Sequence, residues 1–323
     1  VFVAFIDNGV QINWTDAPAS AFLMTAIFFA GTDLLARVDS FQGTGTLSTL
    51  AVTVGFQADQ IIFPFARAST LAAIWLAADQ QFGFADRGPP NQNVSLSYLD
   101  AANANSVSPT CYVSNAFAIK RPLGAAVVTI NNFTGTTFDA VQSGSTQTHF
   151  HPFLALGYQG AVSHGLMMVD SPTGATGVKT VATTFKPQFV MQAVSGVDAL
   201  NFTANASEGM AAQGAGTFGL VAFSANEMFT NYVTDDDAAS PVAPSAVNAN
   251  SLSDNKLQVL TDGSLPLFAA TFDSFNALDY RLNYSLLSAT VRKWPTLIIG
   301  AETTPPVAGP IPVMQNSYRQ RRS

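Results

Sequence analysis

In several stretches of this chain apolar residues sit two apart, the spacing of strands buried on one face. Val10, Ile12 and Trp14 alternate with Gln11 and Asn13, and Asp7-Asn8-Gly9 ahead of them holds an Asn-Gly pair that favours a tight hairpin with Val1 to Phe5. Thr15 to Ser20, with Pro18, reads as a turn, and Phe22 to Ala30 as a strand covered on both faces, since it lacks alternation. Leu50 to Val54, Gln60 to Phe65, Val94 to Leu99, Val178 to Thr184, Phe189 to Val194 and Phe218 to Phe223 are further strand-like runs between polar turns.

These runs repeat. Residues 10–31 resemble Phe138 to Val141 followed by His151 to Gly157, and again Tyr280 to Ser285 followed by Trp294 to Gly300. Each copy is a strand-like run, a polar turn, and a second run that ends on a small residue. Gly45 and Gly174, like Phe56 and Phe185, lie 129 positions apart (174 − 45 and 185 − 56). A third block pairs Gly88 before Val94 to Leu99 with Gly214 before Phe218 to Phe223, at an offset of 126 (214 − 88). The spacing implies a tandem duplication of about 127 residues, the size of one β-sandwich or jelly-roll domain.

The expected architecture is therefore all-β: tandem β-sandwich or jelly-roll-like modules, two copies plus a completing C-terminal hairpin. Module 1 spans 1–115 and module 2 spans 116–233; a linker loop, poor in apolar periodicity, covers 234–264. A partial third copy covers 265–302, and an extended Pro-containing, basic tail covers 303–323. Two strands cannot bury a core alone. The last hairpin is therefore expected to dock onto the second module and complete its sheet, as each module's opening strands complete the one before.

Composition sharpens this picture. The chain has 323 residues, 48% hydrophobic but only 11% charged, with 25 Phe. Ser, Thr, Asn, Gln and Gly must then carry its solubility, and surface helices rich in Glu and Lys are disfavoured. A net charge of −7 argues against nucleic acid as the main partner. The apolar run from Phe22 to Gly31 is about half the roughly 20 residues a bilayer-spanning helix needs, so no membrane insertion is expected. The chain opens on Val1 and reads as processed or as part of a longer product; its first residues carry no signal-peptide pattern. Cys111 is the single cysteine, which excludes an intrachain disulfide.

Candidate chemistry is sparse. His149 and His151, two apart, have a zinc-compatible spacing, with His164 or a distant carboxylate as a third ligand. Their sister positions are Phe22 and Met24 in one copy and Arg292 and Trp294 in the other, so surface or interface histidines are the expectation. Asp235, Asp236 and Asp237 lack the Gly turn and closing Glu of a calcium loop and read as a solvated acidic loop. Glu208, Glu227 and Glu302 form no glycosidase pair. Ser163-His164-Gly165 sets a hydroxyl beside an imidazole, but strand neighbours point opposite ways. Cys111 reads as packed rather than reactive. Asn13, Asn93, Asn132, Asn201, Asn205 and Asn283 head glycosylation-type triplets of the kind that arise by chance in so Asn-, Ser- and Thr-rich a chain. Trp14, Trp75 and Trp294 suggest a sugar-stacking face or, more commonly, core. Nucleophile-elbow, zincin, Walker and dinucleotide fingerprints are absent.

Asn13 to Phe22, Gly55 to Phe63 and Phe82-Gly83-Phe84-Ala85 stand in an order that resembles minor structural proteins of tailed bacteriophages (Caudovirales), of the tail or head-surface type. The likeness covers most of residues 1–230 and the hairpin at 272–301. It implies a virion protein without catalytic residues or cofactors, located on the particle surface or tail, whose partners are copies of itself and other virion proteins. A minor tail or tail-associated protein is expected; the alternatives are a capsid decoration or head-fibre protein and, from another class, a carbohydrate- or receptor-binding module with a host-surface glycan as partner. The tail of the chain, with Pro310, Pro312, Arg319, Arg321 and Arg322, is the arm expected to contact a partner.

Overall fold

The computed structural model describes residues 2–6, 9–12, 27–29, 31, 33–44, 47–64, 78–100, 110–120, 127–143, 148–160, 162–195, 216–225, 228–235, 257–262 and 265–302. Every regular element among them is a strand, and every pairing is antiparallel. The predicted N-terminal hairpin forms: β1 (Phe2–Ile6) pairs with β2 (Gly9–Ile12), Ile6 opposite Gly9.

A first set of strands follows: β3 (Leu34–Gln42), β4 (Ser48–Thr53), β5 (Gln60–Phe63), β6 (Ala78–Asp86), β7 (Gln92–Asp100), β8 (Thr110–Ser114), β9 (Ile119–Lys120), β10 (Val127–Asn131), β11 (Thr137–Ser143) and β12 (Phe150–Tyr158). They make a six-stranded sheet, β3-β12-β5-β6-β7-β8, and a four-stranded one, β4-β11-β10-β9. The second set is β13 (Val162–Asp170), β14 (Gly177–Ala182), β15 (Pro187–Ser195), β16 (Gly216–Ser224), β17 (Met228–Asp235), β18 (Leu257–Asp262), β19 (Leu265–Phe275), β20 (Asp279–Leu286) and β21 (Lys293–Glu302). It makes a five-stranded sheet, β13-β21-β15-β16-β17, and a four-stranded one, β14-β20-β19-β18. Strand for strand the two sets correspond, with β8 the addition in the first.

Three apolar layers hold four sheets together. Phe41, Ile61, Phe63, Ile130, Phe138 and Phe153 fill the first sandwich, and Val190, Phe223, Phe268, Tyr280, Leu282 and Trp294 fill the second. A third layer joins the sandwiches, with Ile62, Phe84, Leu96 and Leu156 on one side and Leu166, Phe189, Met191 and Leu297 on the other. The six- and five-stranded sheets are thus covered on both faces. Alternation explains β5: Ile61 and Phe63 turn to one core and Ile62 to the other, so all four residues of the strand are buried.

The hairpin resemblances in the sequence find their reason here. β11 lies beside β4, and β12 lies between β3 and β5; β20 lies beside β14, and β21 between β13 and β15. Gly157 and Gly300 lie near the ends of β12 and β21, each the strand next to the edge of its sheet. A Cβ on Gly157 would come within 2.6 Å of the Gln57 carbonyl oxygen, and one on Gly300 within 2.7 Å of the Lys186 carbonyl oxygen. The rings of Phe56 and Phe185 lie against the same two glycines, so the small residue and the aromatic one recur together.

Several sequence expectations need correction. Strands β9 to β12, assigned to module 2 by the 116–233 boundary, pair within the first set, so the sheets divide the chain between 158 and 162. The stretch 265–302 holds three strands, integral to both sheets of the second set. The linker of 234–264 contains β18, the edge strand beside β19. Its signal was legible: alternating Leu257 and Val259 before Asp262-Gly263-Ser264, a tight-turn sequence. The third block was matched to the wrong strand, since β16 pairs with β15 as β6 pairs with β5; its counterpart is β6 and not β7. Gly before an alternating run precedes many strands and does not identify one. Ile27 to Phe29 form no strand; Ile27 and Phe29 pack on the layer between the sandwiches, the Phe29 ring edge-on to Phe189 at 5.6 Å. Most of residues 10–31 lie outside the described residues, and β2 pairs with β1.

Candidate functional site

Charged groups are rare in this chain, so a buried cluster of them marks a position. Such a cluster forms where β5 begins, β6 ends and β12 ends, against β13 of the second sandwich. Gln60 and Asp86 are opposite residues on β5 and β6, and both are buried. Gln60 Nε2 donates to Asp86 Oδ2 at 2.9 Å, and the Tyr158 hydroxyl donates to Gln60 Oε1 at 2.8 Å. Gln60 Nε2 also reaches the carbonyls of Gly165 and Ile298, both at 3.4 Å, in the neighbouring sandwich.

Asp59 precedes β5 and gathers donors of its own. Oδ1 accepts Arg87 Nε at 2.8 Å and Nη2 at 2.5 Å, and Oδ2 accepts the Tyr158 backbone N–H at 2.7 Å. The backbone closes the same corner, with Arg87 N donating to Asp59 O and Asp59 N to Leu156 O, both at 2.8 Å. His164 enters from β13. Its Nδ1 is 2.8 Å from Asp86 Oδ2, its Nε2 is 3.7 Å from Asp59 Oδ1, and its ring lies 5.5 Å from that of Tyr158. Burial, then the carboxylates of Asp86 and Asp59, push the Tyr158 phenol well above its usual range, so it stays a neutral donor.

What can this arrangement do? Both imidazole nitrogens face carboxylates, and Ser163, adjacent on the strand, is not their partner. A nucleophile–base–orienter triad needs one nitrogen turned to a hydroxyl or thiol. The geometry fits a clamp between two sheets rather than an acyl-transfer site. The internal repeat supports this. Pairing register sets Phe189 and Ser224 of the second sandwich where the first has Gln60 and Asp86. The polar set therefore belongs to the junction and not to the module.

The other candidates fall elsewhere. His149 and His151 are buried, contrary to the surface or interface positions expected of them. The His149 carbonyl accepts Gly43 N–H at 2.8 Å, as the Arg292 carbonyl accepts Ser171 N–H in the second sandwich. The His151 ring lies 5.2 Å from Phe41, and its counterpart Trp294 is fully buried, edge-on to Phe268 at 5.1 Å. This makes Trp294 core, not a sugar platform. Among the described residues no three His, Cys, Asp or Glu side chains form a metal-holding group. Asn93, head of a glycosylation-type triplet, is buried: Nδ2 donates to Ile130 O at 3.0 Å and Oδ1 accepts Ile130 N–H at 2.9 Å. It ties β7 to β10 across the sandwich. Pro310, Pro312, Arg319, Arg321 and Arg322, like Trp14, Trp75, Asp236, Asp237 and Glu208, lie outside the described residues.

Sequence reasoning passed over Asp59, Gln60, Asp86, Arg87 and Tyr158. Two signals were present: Gly55 to Asp59 stands between two strand-like runs and Phe84 to Gly88 precedes another, each with an acidic residue. Their convergence on His164 depends on how the sandwiches face each other. Comparison of the chain with protein-family models, curated proteins and solved structures returns no match.

Proposed function

We propose that this chain is a non-enzymatic structural protein of a tailed-bacteriophage particle, a minor tail or tail-associated component that works through contacts between subunits. The observation that carries the reading is the face-to-face fusion of two sandwiches into a four-sheet block, with its buried charges engaged in joining them. Such a block resists relative motion of its halves, a property suited to a particle component that transmits load through packed surfaces. The outer sheets suit assembly as well. Thr49, Ala51 and Thr53 face outward on the edge strand β4, and Val178, Thr180 and Ala182 on the edge strand β14. Weakly charged edges of this kind are a hazard for a free monomer and are stable when covered by a neighbour.

The test is gold labelling of phage particles with an antibody against this chain, viewed by electron microscopy. Label on the tail is the expected outcome, label on the head replaces the tail reading with capsid decoration, and unlabelled particles that contain no such chain by mass spectrometry overturn both. Removing residues 303–323, which carry Arg319, Arg321 and Arg322, is expected to abolish incorporation; normal occupancy would exclude that arm as the contact.

A further inference from the structure

The two sandwich cores follow one plan but differ along one row. In the second, Gln192 on β15 lies opposite Thr296 on β21, and Tyr280 of β20 meets it from the facing sheet. Pairing register puts Phe63, Phe153 and Phe138 at these three places in the first sandwich. All six side chains are at most 1% exposed. Three phenylalanines thus stand where the second core has an amide and two hydroxyls, groups that are unfavourable to bury without partners.

The three polar groups bond to one another, but not completely. Gln192 Nε2 donates to the Tyr280 hydroxyl at 2.9 Å and to Thr296 Oγ1 at 3.4 Å. Thr296 Oγ1 gives its own proton to the Trp294 carbonyl at 3.0 Å, so it can only accept from the amide. That sets which way the amide is turned. It leaves Gln192 Oε1 with no donor among the described residues. The Tyr280 hydroxyl accepts from Nε2, and its own proton meets no acceptor among the described residues. Burial, then Tyr284, push this phenol well above its usual range, so the proton stays on. A buried acceptor and a buried donor therefore lie beside one amide, each lacking the complementary group. Thr230, beyond Val221 on the same row, also has a buried hydroxyl without a partner, but so has its counterpart Ser95. The amide and the phenol are what set the second core apart.

We propose that the second sandwich binds an internal water molecule between Gln192 Oε1 and the Tyr280 hydroxyl. Water is small, neutral and both donor and acceptor. It accepts the Tyr280 O–H and donates to Gln192 Oε1, so one molecule completes both groups. Buried waters typically make about two to four hydrogen bonds to groups that would otherwise lack partners. An ion would meet no opposite charge among Gln192, Tyr280 and Thr296. The first sandwich, with phenylalanine at all three places, has no such site on this row.

The experiment measures ¹⁷O relaxation dispersion of water in solutions of the full chain, whose amplitude counts water molecules held inside for longer than the chain takes to tumble. The paired variant Gln192→Leu with Tyr280→Phe removes both bonding groups at nearly constant volume, and apolar residues fill these places in the first sandwich. The expected amplitude falls below the native one by about one ordered water. Equal amplitudes in the native chain and the paired variant overturn the proposal. If the paired variant does not fold, a crystal structure of the native chain decides. A water at about 2.8 Å from both atoms supports the site; a protein group in that position, or no density there, rejects it.

Discussion

Asn93 shows how much one side chain can do in a chain with so few charges. It presents a donor and an acceptor to both backbone groups of Ile130, so it takes the place of a strand neighbour between sheets that no ladder connects. Asn93→Ala would leave a buried N–H and C=O unsatisfied, at a cost of about 1–3 kcal/mol for the group left without a partner. The expected outcome is a lower denaturation midpoint with an unchanged m-value, checked by urea titration; an unchanged midpoint would show that water replaces the amide. Gly157 and Gly300 act by absence, since backbone carbonyls occupy the space a side chain would need. At this scale the sequence could be read for which residues recur, but not for why. Recurrence picked out Gly157 with Gly300 and Phe56 with Phe185; their contacts with each other supplied the reason. Asn93 recurred nowhere and looked like a chance triplet.

Among the elements, β21 has the largest structural role in the second sandwich. It bridges β13 and β15, and Trp294, Leu297 and Ile298 place its residues in both adjoining cores. Deleting residues 293–323 is expected to abolish cooperative unfolding of the second sandwich, while deleting 303–323 should leave its melting unchanged. Differential scanning calorimetry checks both, and a retained transition in the longer deletion would mean that β13 and β15 close directly on each other. Strand content was legible from alternation and turn residues, as was the role of the closing hairpins. The phase of the repeat was not, because a hairpin that ends one unit reads the same as one that begins the next. Strand β18 was missed because the acidic, Ala- and Ser-rich stretch before it suggested loop throughout.

For the molecule as a whole, the layer between the sandwiches decides behaviour. It contains residues as large as Phe84, Leu96, Phe189 and Leu297, and the charged junction lies at its margin. Domains joined through an apolar core of this kind melt together, whereas those joined by a polar surface melt apart. A single calorimetric transition is therefore expected, with calorimetric and van't Hoff enthalpies in agreement; two separable transitions would show that each sandwich is stable alone. The sequence foretold two modules of sandwich size, yet it was silent on their contact. A strand buried on both faces, such as Gln60 to Phe63, shows only that something covers it. The candidate site was illegible for the same cause: its members come from separate strands and meet only after the sheets have stacked.

The interior position of the closing strands has a consequence for biogenesis. β12 and β21 are the last strands of their sets to leave the ribosome, yet each belongs in the interior of a sheet between strands made long before. Until they arrive, β3 and β5, or β13 and β15, have no partner on their facing edges. Such long-range closure is slow and leaves hydrogen-bonding edges open meanwhile. The nascent chain must therefore hold two incomplete sheets in turn. Its yield in cells will depend on how well chaperones shield those gaps while translation finishes.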